Sequence, residues 1–151
     1  MKTRIKSIIG VILALVLVLC LFSCNGSSED IDTGDDTETK SLWDSATYTE
    51  STELGEGAKT VKVEVKAENK TVTFTIKTVA DTVGDAMLEQ SLLAGEESEF
   101  GLYVKTVNGI TADYDVDKSY WAFYIDGEYA MTGVDGTEIS EGAIYQLVYT
   151  K

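Results

Sequence analysis

The sequence contains no histidine, and its only two cysteines, Cys20 and Cys24, lie near the N-terminus of a 151-residue chain. Without histidine there is no Ser-His-Asp or Cys-His nucleophilic system, and no imidazole ligand for zinc. Beyond Cys24 there is also no thiol for a disulfide or for redox chemistry. Catalysis by carboxylates alone stays open, although no pattern of acids indicates a buried pair. The sequence therefore predicts a protein without catalytic residues, a metal site or a cofactor of its own.

Positive charge is also scarce. The chain has 12 Lys and Arg against 26 Asp and Glu, a formal net charge of −14. Three of the basic residues and none of the acids lie in residues 1–23, so a chain cleaved there would carry nine bases against twenty-six acids, a net charge of −17. Phosphate backbones repel such a surface, which argues against a nucleic-acid partner. Solubility alone accounts for the excess of acids.

The N-terminus has the organisation of a secretory signal. Basic residues precede an apolar run, Ile8 to Leu19, that is shorter than the roughly 20 residues of a membrane-spanning helix. The run leads to Leu21-Phe22-Ser23-Cys24, which resembles the bacterial lipobox, although Phe22 is bulkier than the usual middle residue. We predict that residues 1–23 are a lipoprotein signal peptide and that Cys24 is lipidated. The alternative is an uncleaved anchor, or an ordinary signal with an incidental cysteine.

The composition changes after Cys24. Residues 24–58 consist mainly of Ser, Thr, Gly, Asp and Glu. Such a segment has too little apolar surface to offset the entropy lost on ordering, so we predict a disordered acidic tether. Residues 59–151 are sufficient for one small domain, which apolar packing alone must stabilise.

Alternating residues in the domain predict two strands, Val61–Val65 and Thr71–Lys77, joined as an antiparallel hairpin. A helix is predicted next, with Thr82 as N-cap, Asp85 completing a capping box and Gly95 ending the helix. Its apolar stripe comprises Val83, Met87, Leu88 and Leu92.

Three further strands are predicted over Leu102–Val107, Ser119–Ile125 and Ile144–Thr150, with tight turns at Asn108-Gly109 and Asp126-Gly127. The second of these turns leads into a returning arm. The order is β-β-α-β-β-β. We therefore expect an α+β, β-grasp-like domain in which one mixed sheet packs on one helix.

The C-terminal half resembles a known family. The resemblance rests on the segment Gly101–Ile110, the pair Tyr120-Trp121, the hairpin Tyr124–Tyr129, and the turn Glu141-Gly142 before Tyr145-Gln146-Leu147. These features are similar to the small C-terminal β-domain of the transcobalamin and intrinsic factor family, which also occurs in bacterial lipoproteins as the DUF4430 type. The resemblance covers about residues 61–151. In the cobalamin carriers this domain closes over a corrinoid that is held mainly by a larger helical domain, which this sequence does not contain.

The resemblance implies one set of ligand contacts, and the returning hairpin arm offers a second. Phe100, Gly101, Leu102 and Tyr103 match the segment that faces the corrin ring in the carriers, and Tyr129 and Met131 on the returning hairpin arm form the second set. A glycine allows close backbone approach, and aromatic rings offer flat apolar surfaces. The alternative is that Leu102 and Tyr103 are ordinary packing residues of a strand.

Two other features are predicted to be structural. Trp121 shares a strand face with Phe123 and Ile125, so it is expected in the core. Residues Asp113–Asp117 have the opening spacing of a calcium loop, but Lys118 occupies the position of the required glycine. A solvated acidic loop is expected there.

Together, the signal, the composition and the resemblance predict a non-enzymatic lipoprotein held at the extracytoplasmic face of the cell membrane. It would bind a small soluble ligand, with cobalamin or another corrinoid as the first candidate, for capture or delivery to a membrane transporter. The alternative is a cell-surface adhesion or envelope-interaction module in which the same aromatic side chains contact a protein or a glycan. A hydrolase that uses only carboxylates is a third, less favoured interpretation.

Overall fold

The computed structural model describes residues 40–151. The predicted signal peptide, Cys24 and the tether up to residue 39 lie outside the described residues. Within the described part, no helix is long and apolar enough to span a bilayer.

The described chain contains nine strands, two short α-helices and one 3-10 turn at Leu42–Ser45. The strands are β1 (Thr52–Gly55), β2 (Lys59–Ala67), β3 (Lys70–Thr78), β4 (Leu93–Ser98), β5 (Gly101–Val107), β6 (Ile110–Thr111), β7 (Tyr120–Ile125), β8 (Glu128–Tyr129) and β9 (Ile144–Thr150). The helices are α1 (Val83–Glu89) and α2 (Tyr114–Asp117). Six strands form one sheet in the order β1-β3-β2-β9-β7-β8, and three form a second sheet in the order β4-β5-β6.

The first predicted hairpin is confirmed. β2 and β3 pair antiparallel, with Val63 opposite Phe74, and β9 lies parallel to β2 on its other side. The apolar members of these strands share one face, so Val63, Phe74 and Leu147 are almost fully buried. This face of the six-stranded sheet forms the floor of the core.

The helix begins as predicted and ends earlier. The backbone N–H of Asp85 donates to Thr82 Oγ1 at 3.1 Å, which is the predicted N-cap. The helix stops at Glu89, so the prediction that Gly95 ends it is wrong. Gly95 lies in β4, where a side chain would collide with the carbonyl of Tyr103 on the paired strand. Leu88 lies within the helix but is rotated by about 100° about the helix axis from Met87, so it lies off the buried stripe and is exposed.

The α+β architecture is confirmed, but the single sheet was wrong. The chain pairs β4 with β5 and returns through Asn108 and Gly109, whose φ angles of 51° and 81° suit a tight turn. The resulting second sheet buries Val107 and Ile110 in the same core as α1. One short helix is too small to cover a six-stranded sheet, and the second sheet covers the remainder.

The predicted boundary at residue 58 is wrong, because residues 41–58 belong to the folded domain. The Trp43 ring is buried, and its Nε1 donates to the Ala67 carbonyl at 3.0 Å. Asn108 pairs through its side-chain amide with both backbone groups of Tyr48, at 2.9 and 2.8 Å. β1 then lies parallel to β3. The composition that predicted disorder up to residue 58 underestimated two aromatic anchors, Trp43 and Tyr48.

Candidate functional site

A cleft of about 400 Å³ opens beside the end of the six-stranded sheet. It is lined by residues 102–104 of β5, by Tyr120, Trp121 and Phe123 of β7, by Leu147 of β9 and by residues 129–134. The two sheets therefore supply opposite parts of its wall. The segment after β8 supplies the rest.

Four of the six predicted ligand residues line this one cleft: Leu102, Tyr103, Tyr129 and Met131. Met131 is 95% exposed and Tyr129 is 62% exposed. Two large apolar side chains that line the cleft are therefore in contact with solvent. Tyr129 is held by an edge-to-face contact with Tyr124, at 5.4 Å between ring centroids. The structure thus brings together two segments that are far apart in the sequence.

Phe100 and Gly101 do not line the cleft. Phe100 lies at the tip of the β4–β5 hairpin and is almost fully exposed. Gly101 has a φ of 100°, and a side chain there would collide with the carboxylate of Asp135. The glycine therefore admits Asp135, whose Oδ2 accepts a hydrogen bond from the Leu102 N–H at 3.1 Å.

Asp135 is a residue that the sequence reasoning missed. Its carboxylate joins the start of β5 to the segment that carries Met131, and so links two walls of the cleft. The second glycine beside it, Gly133, likewise leaves room for the Asp135 carboxylate. No local pattern in the sequence indicates this contact, because its partners lie 33 residues apart.

Trp121 is in the core, as predicted. Its ring is 7% exposed and meets Tyr149 edge-to-face at 5.6 Å between centroids. The same residue also lines the cleft. Its indole N–H is buried and has no acceptor among residues 40–151, a condition that native proteins usually avoid.

Three glutamates adjoin residues that line the cleft. Glu96 and Glu97 lie opposite Tyr103 and Leu102 in the β4–β5 pair, and Glu128 precedes Tyr129. Glu96 hydrogen-bonds Lys105 at 2.8 Å and raises the pKa of that lysine. Within residues 40–151, Glu97 and Glu128 form no ion pair.

The acidic segment at residues 113–117 forms the helical turn α2. Asp113 caps it by accepting from the N–H groups of Asp115 and Val116. Asp117 accepts from Ser119 and from Lys151 Nζ, the latter at 2.9 Å. Among the described residues no three acidic side chains are grouped in a way that could hold a metal ion.

Asp117 makes the stability of this region depend on pH. The pKa of Asp117 is lowered to about 2, mainly by the hydrogen bond from the Ser119 hydroxyl and next by the hydrogen bond from Lys151. A carboxyl whose pKa is lowered on folding stabilises the protein above its unfolded pKa of about 3.9, and this stabilisation is lost as the pH falls through the folded value. The difference in unfolding free energy between wild type and Asp117→Asn should be constant above about pH 5 and shrink between about pH 4 and 2. Denaturant titrations at several pH values measure it, and a difference that stays constant down to pH 2 would contradict this assignment.

The structure is a small α+β domain with a cleft lined by aromatic and apolar side chains. Residues 80–144 match the family described as a domain of unknown function, DUF4430. This match confirms the resemblance to DUF4430 domains that the sequence predicted. No curated protein matches this sequence.

Two solved structures are similar to this domain. One is a candidate metal-binding protein from Ruminococcus gnavus ATCC 29149, with 29% identity and a TM-score of 0.59, over 62% of this chain and 98% of that one. The other is haptocorrin in complex with Cbi, with 18% identity and a TM-score of 0.51, over 65% of this chain. The match spans only 27% of the haptocorrin chain, so that likeness concerns the fold of one part of a larger protein.

Proposed function

We propose that this protein is a membrane-anchored, extracytoplasmic lipoprotein whose cleft binds a small soluble ligand. The observation that carries the proposal is the convergence of Leu102, Tyr103, Tyr129 and Met131 on one cleft. Cobalamin or another corrinoid is the first candidate ligand, for capture or delivery to a membrane transporter. The likeness to haptocorrin in complex with Cbi supports this choice. The protein acts as a binder and not as an enzyme.

The proposal includes the β-grasp interpretation of the fold. The hairpin of β2 and β3, the helix α1 and the return of β9 parallel to β2 support it. In this arrangement the cleft lies at the β7–β8 end of the sheet.

The size of the cleft sets the expected affinity. Its volume of about 400 Å³ is near the lower end of ligand pockets, which is about 300 Å³. A corrinoid could therefore place only one edge or part of one face in it. No histidine is present to coordinate cobalt, so the ligand would be held by face contacts and hydrogen bonds, with a Kd of about 1 µM or weaker.

Truncating one wall of the cleft should weaken binding without unfolding the protein. Tyr103→Ala removes a half-exposed ring and is expected to weaken corrinoid binding by about 1–2 kcal/mol, with nearly unchanged unfolding. Titrations with cobalamin, cobinamide and an unrelated heterocycle measure the affinity and its selectivity. Tyr114→Ala is the matched control, because Tyr114 has similar exposure and lies outside the cleft. Equal effects of the two substitutions would contradict the assignment of the cleft.

The anchor is tested separately. Cys24→Ala should abolish labelling by radioactive fatty acid and leave an unprocessed precursor, because the lipidated thiol is lost. Ser23 and the residues before it are retained, so export through the signal is still possible. A wild-type mature protein that begins upstream of residue 24 and is unmodified would contradict the lipoprotein assignment.

The second candidate is a surface adhesion or envelope-interaction module that binds a protein or glycan. Phe100 and Met131 favour it, since each is 95% exposed and exposed apolar patches mark interaction sites. Failure of both corrinoids to bind at millimolar concentration would remove the vitamin ligand and leave this candidate.

A further inference from the structure

The outer edge of β7 is paired over only part of its length. β7 pairs with β9 at all six of its residues, but with β8 only at Tyr124 and Ile125. One further bond joins Ala130 N–H to the Phe123 carbonyl at 3.0 Å. The chain then leaves the sheet because Val134 is buried in the core, where its carbonyl accepts from Gly84 N–H at 2.8 Å.

The unpaired part of this edge presents backbone groups to the cleft. In an antiparallel ladder the backbone groups of alternate residues point to the same side. The Phe123 carbonyl points away from β9, so the N–H and carbonyl of Trp121 do so too. Neither these two groups nor the Phe123 N–H has a hydrogen-bond partner among residues 40–151.

The unpaired backbone groups belong to residues that also line the cleft. Trp121 and Phe123 are 7% and 8% exposed, and both line the cleft. Buried N–H and C=O groups are nearly always satisfied in native proteins, by protein, ligand or water. A ligand with its own alternating N–H and C=O groups would match this edge.

The charge around the cleft selects the kind of ligand. The acidic rim comprises Glu97, which lies opposite Leu102 of β5, and Glu128, which precedes Tyr129, and neither forms an ion pair among the described residues. Within residues 40–151, no lysine or arginine lines the cleft, and Lys105 on β5 is paired with Glu96. The surface around the open edge is therefore complementary to a basic ligand.

We propose that the cleft receives an extended basic peptide segment of a partner protein, which adds as a strand to β7 at Trp121 and Phe123. Main-chain hydrogen bonds to the open edge supply affinity, and the apolar lining with its acidic rim selects alternate side chains. The open stretch is about 10 Å long, which suits three extended residues. This inference rests on the cleft of the proposed function but not on a corrinoid ligand.

The test uses the purified full chain and the peptide acetyl-Lys-Val-Lys-Val-Lys-amide. We expect saturable binding of this peptide. The fully N-methylated peptide should bind at least tenfold more weakly, because it keeps every side chain but has no backbone N–H. A peptide with glutamate for lysine should also bind at least tenfold more weakly. Amide hydrogen exchange should slow several-fold at Trp121 and Phe123, and stay unchanged at Ala122, whose N–H faces β9.

A pair of variants tests the acidic rim. Glu128→Gln should weaken peptide binding two- to fivefold, whereas Glu53→Gln, at the opposite edge of the same sheet in β1, should have no effect.

Equal binding of the N-methylated peptide, or no slowing of amide exchange at Trp121 and Phe123, would overturn the inference. The inference would also be overturned if amide exchange at Trp121 and Phe123 slowed with protein concentration and without peptide, because a second copy of the chain would then occupy the edge. Corrinoid binding without peptide binding would overturn this inference alone, whereas peptide binding without corrinoid binding would overturn only the corrinoid ligand.

Discussion

Trp121→Ala is expected to lower the free energy of unfolding by about 3–5 kcal/mol, as large aromatic truncations in cores do. The ring is nine-tenths buried, contacts Tyr149 edge-to-face and lies in the main core cluster. Its removal would leave a cavity where β7 packs on the rest of the core. Denaturant unfolding measures the change.

Tyr120→Ala is the matched control for this prediction. Tyr120 is the preceding residue of the same strand, but it is 36% exposed. Its truncation should therefore lower the free energy of unfolding by no more than about 1 kcal/mol beyond the effect of an average surface substitution. A loss below about 1 kcal/mol for Trp121→Ala would show that the indole is not part of the core.

Trp43→Ala should be similarly destabilising, by about 3–5 kcal/mol. The side chain is buried, its Nε1 donates to the Ala67 carbonyl, and Lys70 Nζ lies 4.8 Å from its ring centroid. This contact fastens residues 41–48 to the β2–β3 hairpin. Denaturant unfolding again provides the measurement.

Trp43→Phe separates the ring from its hydrogen bond. It keeps most of the apolar contact but removes the indole donor to the Ala67 carbonyl, which is also paired with Lys70 across the β2–β3 turn, so a loss of about 0.5–1.5 kcal/mol is expected. A change of less than about 1 kcal/mol for Trp43→Ala would mean that this segment contributes little to the fold, as the original tether boundary at residue 58 implied.

Local patterns in the sequence were sufficient for the β2–β3 and β7–β8 hairpins and for the turn after β5. Alternating valines in β2 specify a half-buried strand, and Asn108-Gly109 and Asp126-Gly127 take the positive φ angles that tight turns require. These features depend on residues close together in the chain. They could therefore be predicted with nearly correct bounds.

The second sheet and the early start of the domain could not be predicted in the same way. β4 has a polar sequence, Gly95-Glu96-Glu97, and exists because β5 pairs with it. Trp43 and Tyr48 look like isolated apolar residues in a polar segment, and only the fold shows that Ala67 and Phe74 contact them. Tertiary contacts decided both features.

The candidate site was predicted in part for the same reason. Tyr103 was singled out by resemblance and Met131 by its place on the returning hairpin arm, and both line one cleft. Phe100 belonged to the same resembling segment as Tyr103, but the hairpin turn places it outside the cleft. Asp135 acts through a contact with the Leu102 N–H, which only the folded chain makes visible.

The central claim is that the cleft is the ligand-binding site, and amide chemical-shift mapping of the full chain tests it most directly. Cobinamide is added up to millimolar concentration, and the backbone resonances of residues 40–151 are followed. The account predicts saturable shifts at residues 102–104 and 129–134, with little change at the far edge of the sheet in β1. Saturable shifts that lie mainly outside the cleft would contradict it.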